Sequence, residues 1–173
     1  MEKKITSPVI AGLVISLMVI VLGLIMYFTG LYLQTWTQYL GFAILFGGLL
    51  FAVINHGKEN AANVTFGKLF GFGFKTTTVI ICIILLYTIA SGYLFPEVKQ
   101  KIIEMSREQA LKQPGANESQ IEQGMEMFEK NYTLFIIIGL IFWYALIGAI
   151  TSLIGAAVTK KNPQSPFDNT FSK

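Results

Sequence analysis

The glycine-rich stretch VTFGKLFGFGFKTTTV, residues 64–79, contains residue types that could bind a phosphate group. Phosphate loops place a lysine and a hydroxyl side chain directly after the second of two spaced glycines. That pattern fails here, because Phe72 stands where the second glycine would have to follow Gly67. Gly67 and Gly71 have the spacing of a transmembrane dimer motif, but Lys68 lies between them. The stretch therefore predicts neither a nucleotide site nor a dimer motif.

The residues best suited to nucleophilic or metal chemistry each occur once, as Cys82 and His56. One cysteine and one histidine allow neither an internal disulfide nor a metal site built from several such ligands. Cys82 lies in an apolar run that disfavours a thiolate, so we interpret it as a small apolar filler. His56 is expected to be a solvated loop residue. The sequence predicts no catalytic residue, no cofactor and no metal, and we expect a protein that is not an enzyme.

A group of acidic side chains lies close to one face of a segment with helical periodicity. Such a group could bind a cation, but the chain has no acidic loop with calcium-ligand spacing. We therefore favour a solvated acidic face. The residues are Glu118, Glu122, Glu126 and Glu129.

The composition predicts an all-α integral membrane protein. Hydrophobic residues make up 53% of the 173-residue chain and charged residues 13%, whereas soluble domains carry about 25% charged residues. Crossing the hydrocarbon core takes roughly 20 apolar residues in helical form. The first run is too long for a signal peptide and is expected to be retained. We predict a single membrane domain, 1–173, with a four-helix bundle formed by spans 8–28, 36–54, 76–95 and 133–158.

Basic residues predict the orientation of these spans. The N-terminus, residues 55–75 and the tail 159–173 together carry eight lysines and three acidic residues, whereas residues 96–132 carry five basic and seven acidic residues. The positive-inside rule therefore places both termini in the cytoplasm. We expect the lipid bilayer as a partner and no nucleic acid.

Residues 96–132 predict a helical hairpin outside the membrane, between the third and fourth spans. Pro96 favours a helix start, Pro114 and Gly115 a turn, and Asn117 the cap of a second helix. The second helix has an apolar stripe that needs cover from its partner helix or from a foreign protein. We take this stripe as a candidate surface for contact with another membrane or periplasmic protein. It comprises Ile121, Met125 and Phe128.

Two further sets of residues suggest roles in the membrane. Residues 64–75 predict an interfacial anchor with a bend near Gly73, in which aromatic rings insert at headgroup depth and lysines approach anionic lipid. Small residues of the fourth span predict close helix packing. The anchor residues are Phe66, Lys68, Phe70, Phe72, Phe74 and Lys75, and the packing residues are Ala145, Gly148, Ser152 and Gly155.

These patterns favour a non-enzymatic interaction, assembly or structural protein of the membrane. The alternative is a passive channel or transporter for a small solute, lined by hydroxyl side chains such as Thr88 and Ser152. The spans contain no ionisable residue of the kind that marks coupled transport. We expect the hydroxyl groups to bond within their own helices or to a neighbouring helix.

Four segments carry a family resemblance: VTFGKLFGFGFK, YLFPEVKQKIIE, SQIEQGMEMFEK and the closing pair Lys160-Lys161. Together they resemble the family catalogued as domain of unknown function number 4199, small membrane proteins found chiefly in Bacteroidota. The resemblance extends over about residues 5–162. It implies a bacterial inner-membrane protein with four helices, in which the hairpin is periplasmic. It implies no activity, substrate or catalytic residue.

Overall fold

The computed structural model describes residues 6–34, 36–60 and 63–160. Within these ranges the chain is all-helical, as predicted, with six α-helices, one short 3-10 turn at Leu31–Leu33 and no strand. The helices are α1 (Pro8–Phe28), α2 (Thr37–Glu59), α3 (Phe66–Leu94), α4 (Pro96–Leu111), α5 (Glu118–Lys130) and α6 (Tyr132–Val158).

Four of the described helices are long and apolar enough to cross a membrane: α1, most of α2, α3 and α6. The longest, α3, has 29 residues, which at 1.5 Å per residue extend about 44 Å, more than a hydrocarbon core of about 30 Å. These four helices indicate a multi-pass membrane protein. Helix α1 covers the same residues as the first predicted span.

The helices α2 and α3 are longer than the spans assigned to them. Helix α2 continues through His56 to Glu59, and α3 begins at Phe66. Most of the segment 64–75 is therefore the start of a continuous helix rather than a bent lead-in, and Gly73 lies inside that helix. Each glycine disfavours a helix by about 1 kcal/mol, but packing can outweigh this cost, and Leu69 in this segment is fully buried.

Helix termini follow from local sequence. The Ser7 hydroxyl accepts a hydrogen bond from the Ile10 N–H (3.2 Å), and Pro8 occupies the first position of α1. Asn117 caps α5 by accepting from the Gln120 N–H (3.3 Å). Gly115 has a φ of 80° in the turn before it, a conformation that favours glycine.

The chain divides into two compact units, residues 1–83 with 144–173 and residues 84–143. Within the described part of the first unit, helices approach closely where one of them has a glycine. A methyl group on Gly12 would lie 2.8 Å from Val79 Cβ, and one on Gly155 would lie 3.0 Å from Val53 Cβ. Real Cβ atoms essentially never come closer than 3.0 Å to another heavy atom, so α1 meets α3 at a distance that excludes a larger side chain at Gly12 unless the helices shift. At Gly155 the neighbour Val53 would have to move by a few tenths of an ångström, so the contact of α2 with α6 also favours glycine.

Candidate functional site

The start of α3 carries the residues predicted to anchor the chain at the membrane surface. Phe66, Phe70 and Phe74 follow one another at intervals of four and therefore share one face of the helix. Phe66 and Phe74 are exposed, and the ring of Phe70 lies 6.0 Å from that of Phe74. Lys68 and Lys75 are also exposed. These five residues could approach lipid.

Phe72 does not belong to that face. Its side chain is only 4% exposed and forms part of a buried cluster with Leu69, Val53 and Ala156. Since the segment is helical, a residue two positions from Phe70 and from Phe74 points away from their face. The assignment of Phe72 as a lipid anchor is therefore wrong.

His56 packs against Phe72, as part of α2 and not in a solvated loop as expected. The two rings are stacked, with centroids 3.9 Å apart and planes inclined by 12°. Among the described residues Nδ1 of His56 has no hydrogen-bond partner although it is buried. Nε2 lies 3.5 Å from the Asn60 side-chain nitrogen, which also donates to the His56 carbonyl oxygen (2.8 Å). The ring thus acts mainly as a packing element between α2 and α3.

Glu59, at the end of α2, accepts hydrogen bonds from Thr6, the residue before the Ser7 cap of α1. Its Oε2 accepts from the Thr6 N–H (2.7 Å), and its Oε1 accepts from the Thr6 hydroxyl (2.8 Å). Oε1 also accepts from the side-chain amide of Asn55 (2.7 Å). We call these three residues the Glu59 clasp. Sequence reasoning missed the clasp, because nothing in the spacing of Thr6 and Glu59 indicates that they meet.

The small residues of α6 contact the other helices of the first unit. A methyl group on Gly148 would overlap Thr77, and the side chain of Ser152 occupies the space beside Gly73. Gly155 faces Val53, whereas Ala145 is half-buried. The stripe predicted for close packing therefore lies where α6 approaches α2 and α3.

Six of the hydroxyl groups buried in the first unit bond to the backbone of their own helical segments. Each donates to the carbonyl oxygen four residues earlier, at 2.6–3.0 Å. Such bonds satisfy the hydroxyl without a polar partner on another helix. They are the bonds of Ser16, Thr76, Thr77, Thr151, Ser152 and Thr159.

Within the second unit, α4 and α5 pack on each other. The predicted partner-contact stripe is largely covered by the chain itself: Met125 is 9% exposed, and Ile121 and Phe128 are half-buried. The Phe128 ring lies 5.6 Å from that of Tyr132 and 5.9 Å from that of Phe135. The stripe is thus a hydrophobic core for the hairpin rather than a free surface.

Charged pairs lie on the outside of the hairpin. Arg107 of α4 forms an ion pair with Glu122 of α5, and Lys130 lies 2.9 Å from Glu126 on α5. The hydrogen bond from Lys130 to the Glu126 carboxylate lowers the pKa of Glu126. Between the helices lies an open groove of about 660 Å³ lined by Leu111, Arg107, Glu118, Ser119, Glu122, Gln123 and Glu126.

The described residues contain no cluster of three or more histidine, cysteine or acidic side chains that could hold a metal ion. Cys82, expected to be an apolar filler, is exposed on α3. What the structure assembles from the predicted residues is a set of helix contacts and a self-packed hairpin. These arrangements support helix packing.

The model of one protein family matches residues 10–161, nearly the whole chain. Its description is "Protein of unknown function (DUF4199)". The chain belongs to this family. No curated protein and no solved structure matches it. The family match confirms the resemblance seen in the sequence, and its description names no activity, so the function has to be inferred from the helices themselves.

Proposed function

We propose that this member of the family is a non-enzymatic membrane protein that assembles with another protein through the α4–α5 hairpin. The observation that carries the proposal is that the hairpin forms its own core around Met125. A preformed helix pair loses little conformational freedom on binding, which favours recognition by a partner.

The contact surface must differ from the one predicted from sequence, because Ile121, Met125 and Phe128 already pack within the second unit. Among the described residues of α4 and α5, the large apolar side chains left exposed are Leu111 (44%) and Met127 (59%). Leu111 lies in the groove with three glutamates. Of these, Glu122 and Glu126 already pair with Arg107 and Lys130, so the acidic neighbour offered to a partner is Glu118. An apolar side chain with an acidic neighbour suits a partner segment that combines an aliphatic residue with lysine or arginine.

The packing of the first unit supports assembly over the alternative of a passive channel. A conducting path needs polar groups that face a continuous opening. Here the buried hydroxyls of Thr77 and Ser152 bond to their own helices. Gly148 and Gly73 bring α6 and α3 too close for an added methyl group. This arrangement is typical of a packed helix interface.

We further propose that the four spans form one bundle in a bacterial inner membrane, with both termini cytoplasmic and the hairpin periplasmic. The distribution of lysines supports this orientation. On the cytoplasmic side, Phe66 and Phe74 would lie at headgroup depth while Lys68 and Lys75 approach anionic lipid. Phe70 contributes through its contact with Phe74.

A photo-crosslinking amino acid at position 111 tests the assembly proposal in living cells. We expect one discrete adduct with a different protein, and no adduct when the same crosslinker replaces Gln109, an exposed residue on the opposite face of α4. A further substitution, Glu118→Lys in the groove, should weaken the adduct because it reverses a charge facing the partner. Absence of any adduct at position 111, or an adduct with a second copy of the chain only, would contradict the proposal.

A further inference from the structure

A groove between α1 and α2 carries a second inference, independent of the hairpin. The groove has a volume of about 330 Å³, at the lower end of the range for small-molecule sites. Its described lining includes Ile10, Val14 and Met18 from α1 and Gly48, Phe51 and Asn55 from α2, with Thr6 at one end. All of these residues belong to the first unit.

The groove opens towards the membrane. Ile10, Val14 and Met18 are 50–56% exposed, and Phe51 is 71% exposed. On helices that cross a bilayer, such side chains face hydrocarbon rather than water. The surrounding medium thus consists of acyl chains, which the aliphatic and aromatic walls of the groove match.

The length of the groove matches one leaflet of the bilayer. Thr6 precedes α1 by two residues, and the ten residue steps from Pro8 to Met18 rise by about 15 Å in helical form. Half of a hydrocarbon core of about 30 Å is about 15 Å. A single acyl chain that enters from the surface would therefore fill the groove down to the middle of the membrane.

The Glu59 clasp adjoins the groove, since Thr6 and Asn55 both line the groove and both donate to Glu59, which is itself outside the lining. A carboxylate has about four acceptor positions, two on each oxygen. Oε1 already accepts two hydrogen bonds and Oε2 accepts one. One acceptor position on Oε2 remains for a further donor.

We propose that this groove binds one phospholipid with a primary-amine headgroup, its acyl chain lying between α1 and α2 and its ammonium group donating to Oε2 of Glu59. A choline headgroup has no N–H to donate. A headgroup with net negative charge would be repelled by the carboxylate. The site therefore distinguishes an amine headgroup from other lipids by one charge-assisted hydrogen bond.

Quenching of a tryptophan by lipids with brominated acyl chains tests this proposal on the full chain in vesicles. Trp36→Phe and Trp143→Phe remove the native tryptophans, and Phe51→Trp introduces a reporter in the groove. One hydrogen bond corresponds to about a threefold or greater preference. We expect this preference for brominated phosphatidylethanolamine over brominated phosphatidylcholine. The matched reporter Leu13→Trp, exposed on α1 but not part of the groove lining, should show no preference.

Two variants test the contact with the headgroup and the contact with the acyl chain separately. Glu59→Gln should abolish the preference at the Phe51→Trp reporter. Ala52 also lines the groove, so Ala52→Leu should abolish the preference by filling the groove while leaving the clasp intact. Circular dichroism and gel filtration verify that both variants fold. Equal quenching by the two lipids in the unaltered groove would overturn the proposal. Quenching of Leu13→Trp but not of Phe51→Trp would also overturn it, because the groove would then be covered by protein.

Discussion

The imidazole of His56 lies flat against the phenyl ring of Phe72, with ring centroids 3.9 Å apart. This contact joins the end of α2 to the beginning of α3. The sequence predicted this contact for neither residue. His56 was expected in a solvated loop and Phe72 among the lipid headgroups. The stack favours the continuation of both helices beyond their predicted spans, because His56 lies in the extension of α2 and Phe72 in that of α3.

Substitution of Phe72 should therefore destabilise the fold. Phe72→Ala removes a buried ring, and such large-to-small changes cost about 3 kcal/mol or more. The control is Phe66→Ala on the same helix, where the ring is 41% exposed and the loss should stay below about 1 kcal/mol. Unfolding in mixed micelles, followed by circular dichroism, measures both variants. Equal losses in the free energy of unfolding for Phe72→Ala and Phe66→Ala would contradict the burial of Phe72.

His56→Phe should keep the protein folded and raise its stability. The buried Nδ1 has no partner among the described residues, and a buried unpaired polar atom costs about 1–3 kcal/mol. A phenyl ring retains the stack without that atom. His56→Ala, which removes the stack, should lower the free energy of unfolding. If His56→Phe unfolds at lower denaturant than the native chain, the imidazole has a polar role that packing does not explain.

Prediction from sequence succeeded where a local signal decides the structure. Pro96 and Asn117 mark helix starts through their own backbone and side-chain chemistry, and both helices begin where these residues predict. The end of α2 and the beginning of α3 depend on packing between distant segments, which opposes the local preference of the glycines. The Glu59 clasp and the α1–α2 groove depend on how two helices pair, so no pattern within either helix reveals them.

The hairpin shows the same difference between what a local pattern predicts and what packing decides. The spacing of Ile121, Met125 and Phe128 predicts an apolar face, but spacing alone does not identify what covers it. The structure covers this face within the second unit. The candidate partner surface therefore moves to Leu111, an apolar residue of the amphipathic first helix that is 44% exposed.

Two methionines of α5 provide a matched test of that core. Met125 is 9% exposed and Met127 is 59% exposed. Met125→Ala should destabilise the hairpin by about 2 kcal/mol or more, whereas Met127→Ala should change it by less than about 0.5 kcal/mol. Hydrogen exchange of the α4 and α5 amides measures the local effect. Faster exchange in Met127→Ala than in Met125→Ala would contradict the self-packed hairpin.

The contact between Gly148 and Thr77 predicts a strict limit on side-chain size in α6. A methyl group on Gly148 would overlap Thr77, which is 1% exposed and donates its hydroxyl to the Gly73 carbonyl oxygen (3.0 Å). Gly148→Ala should destabilise the protein by about 1–3 kcal/mol, the usual cost of overpacking.

Gly139→Ala is the control for that substitution, since a methyl group there meets nothing within 4 Å. The double variant Gly148→Ala with Thr77→Ala should recover part of the loss, because two of the three overlapping atoms are then absent. Unfolding in mixed micelles measures these three variants, Thr77→Ala alone and the native chain. Additive losses in the double variant would show that α3 and α6 do not meet at this pair.

The proposed orientation predicts opposite accessibility for two loops. In a Cys82→Ala background, we introduce Ser119→Cys at the start of α5 or Thr65→Cys before α3, both at exposed positions. A maleimide that does not cross membranes should label position 119 in spheroplasts, and position 65 only after the membrane is permeabilised. The reason is the excess of lysine on the side that holds residue 65. Labelling of position 65 in intact spheroplasts would reverse the orientation and place the hairpin in the cytoplasm.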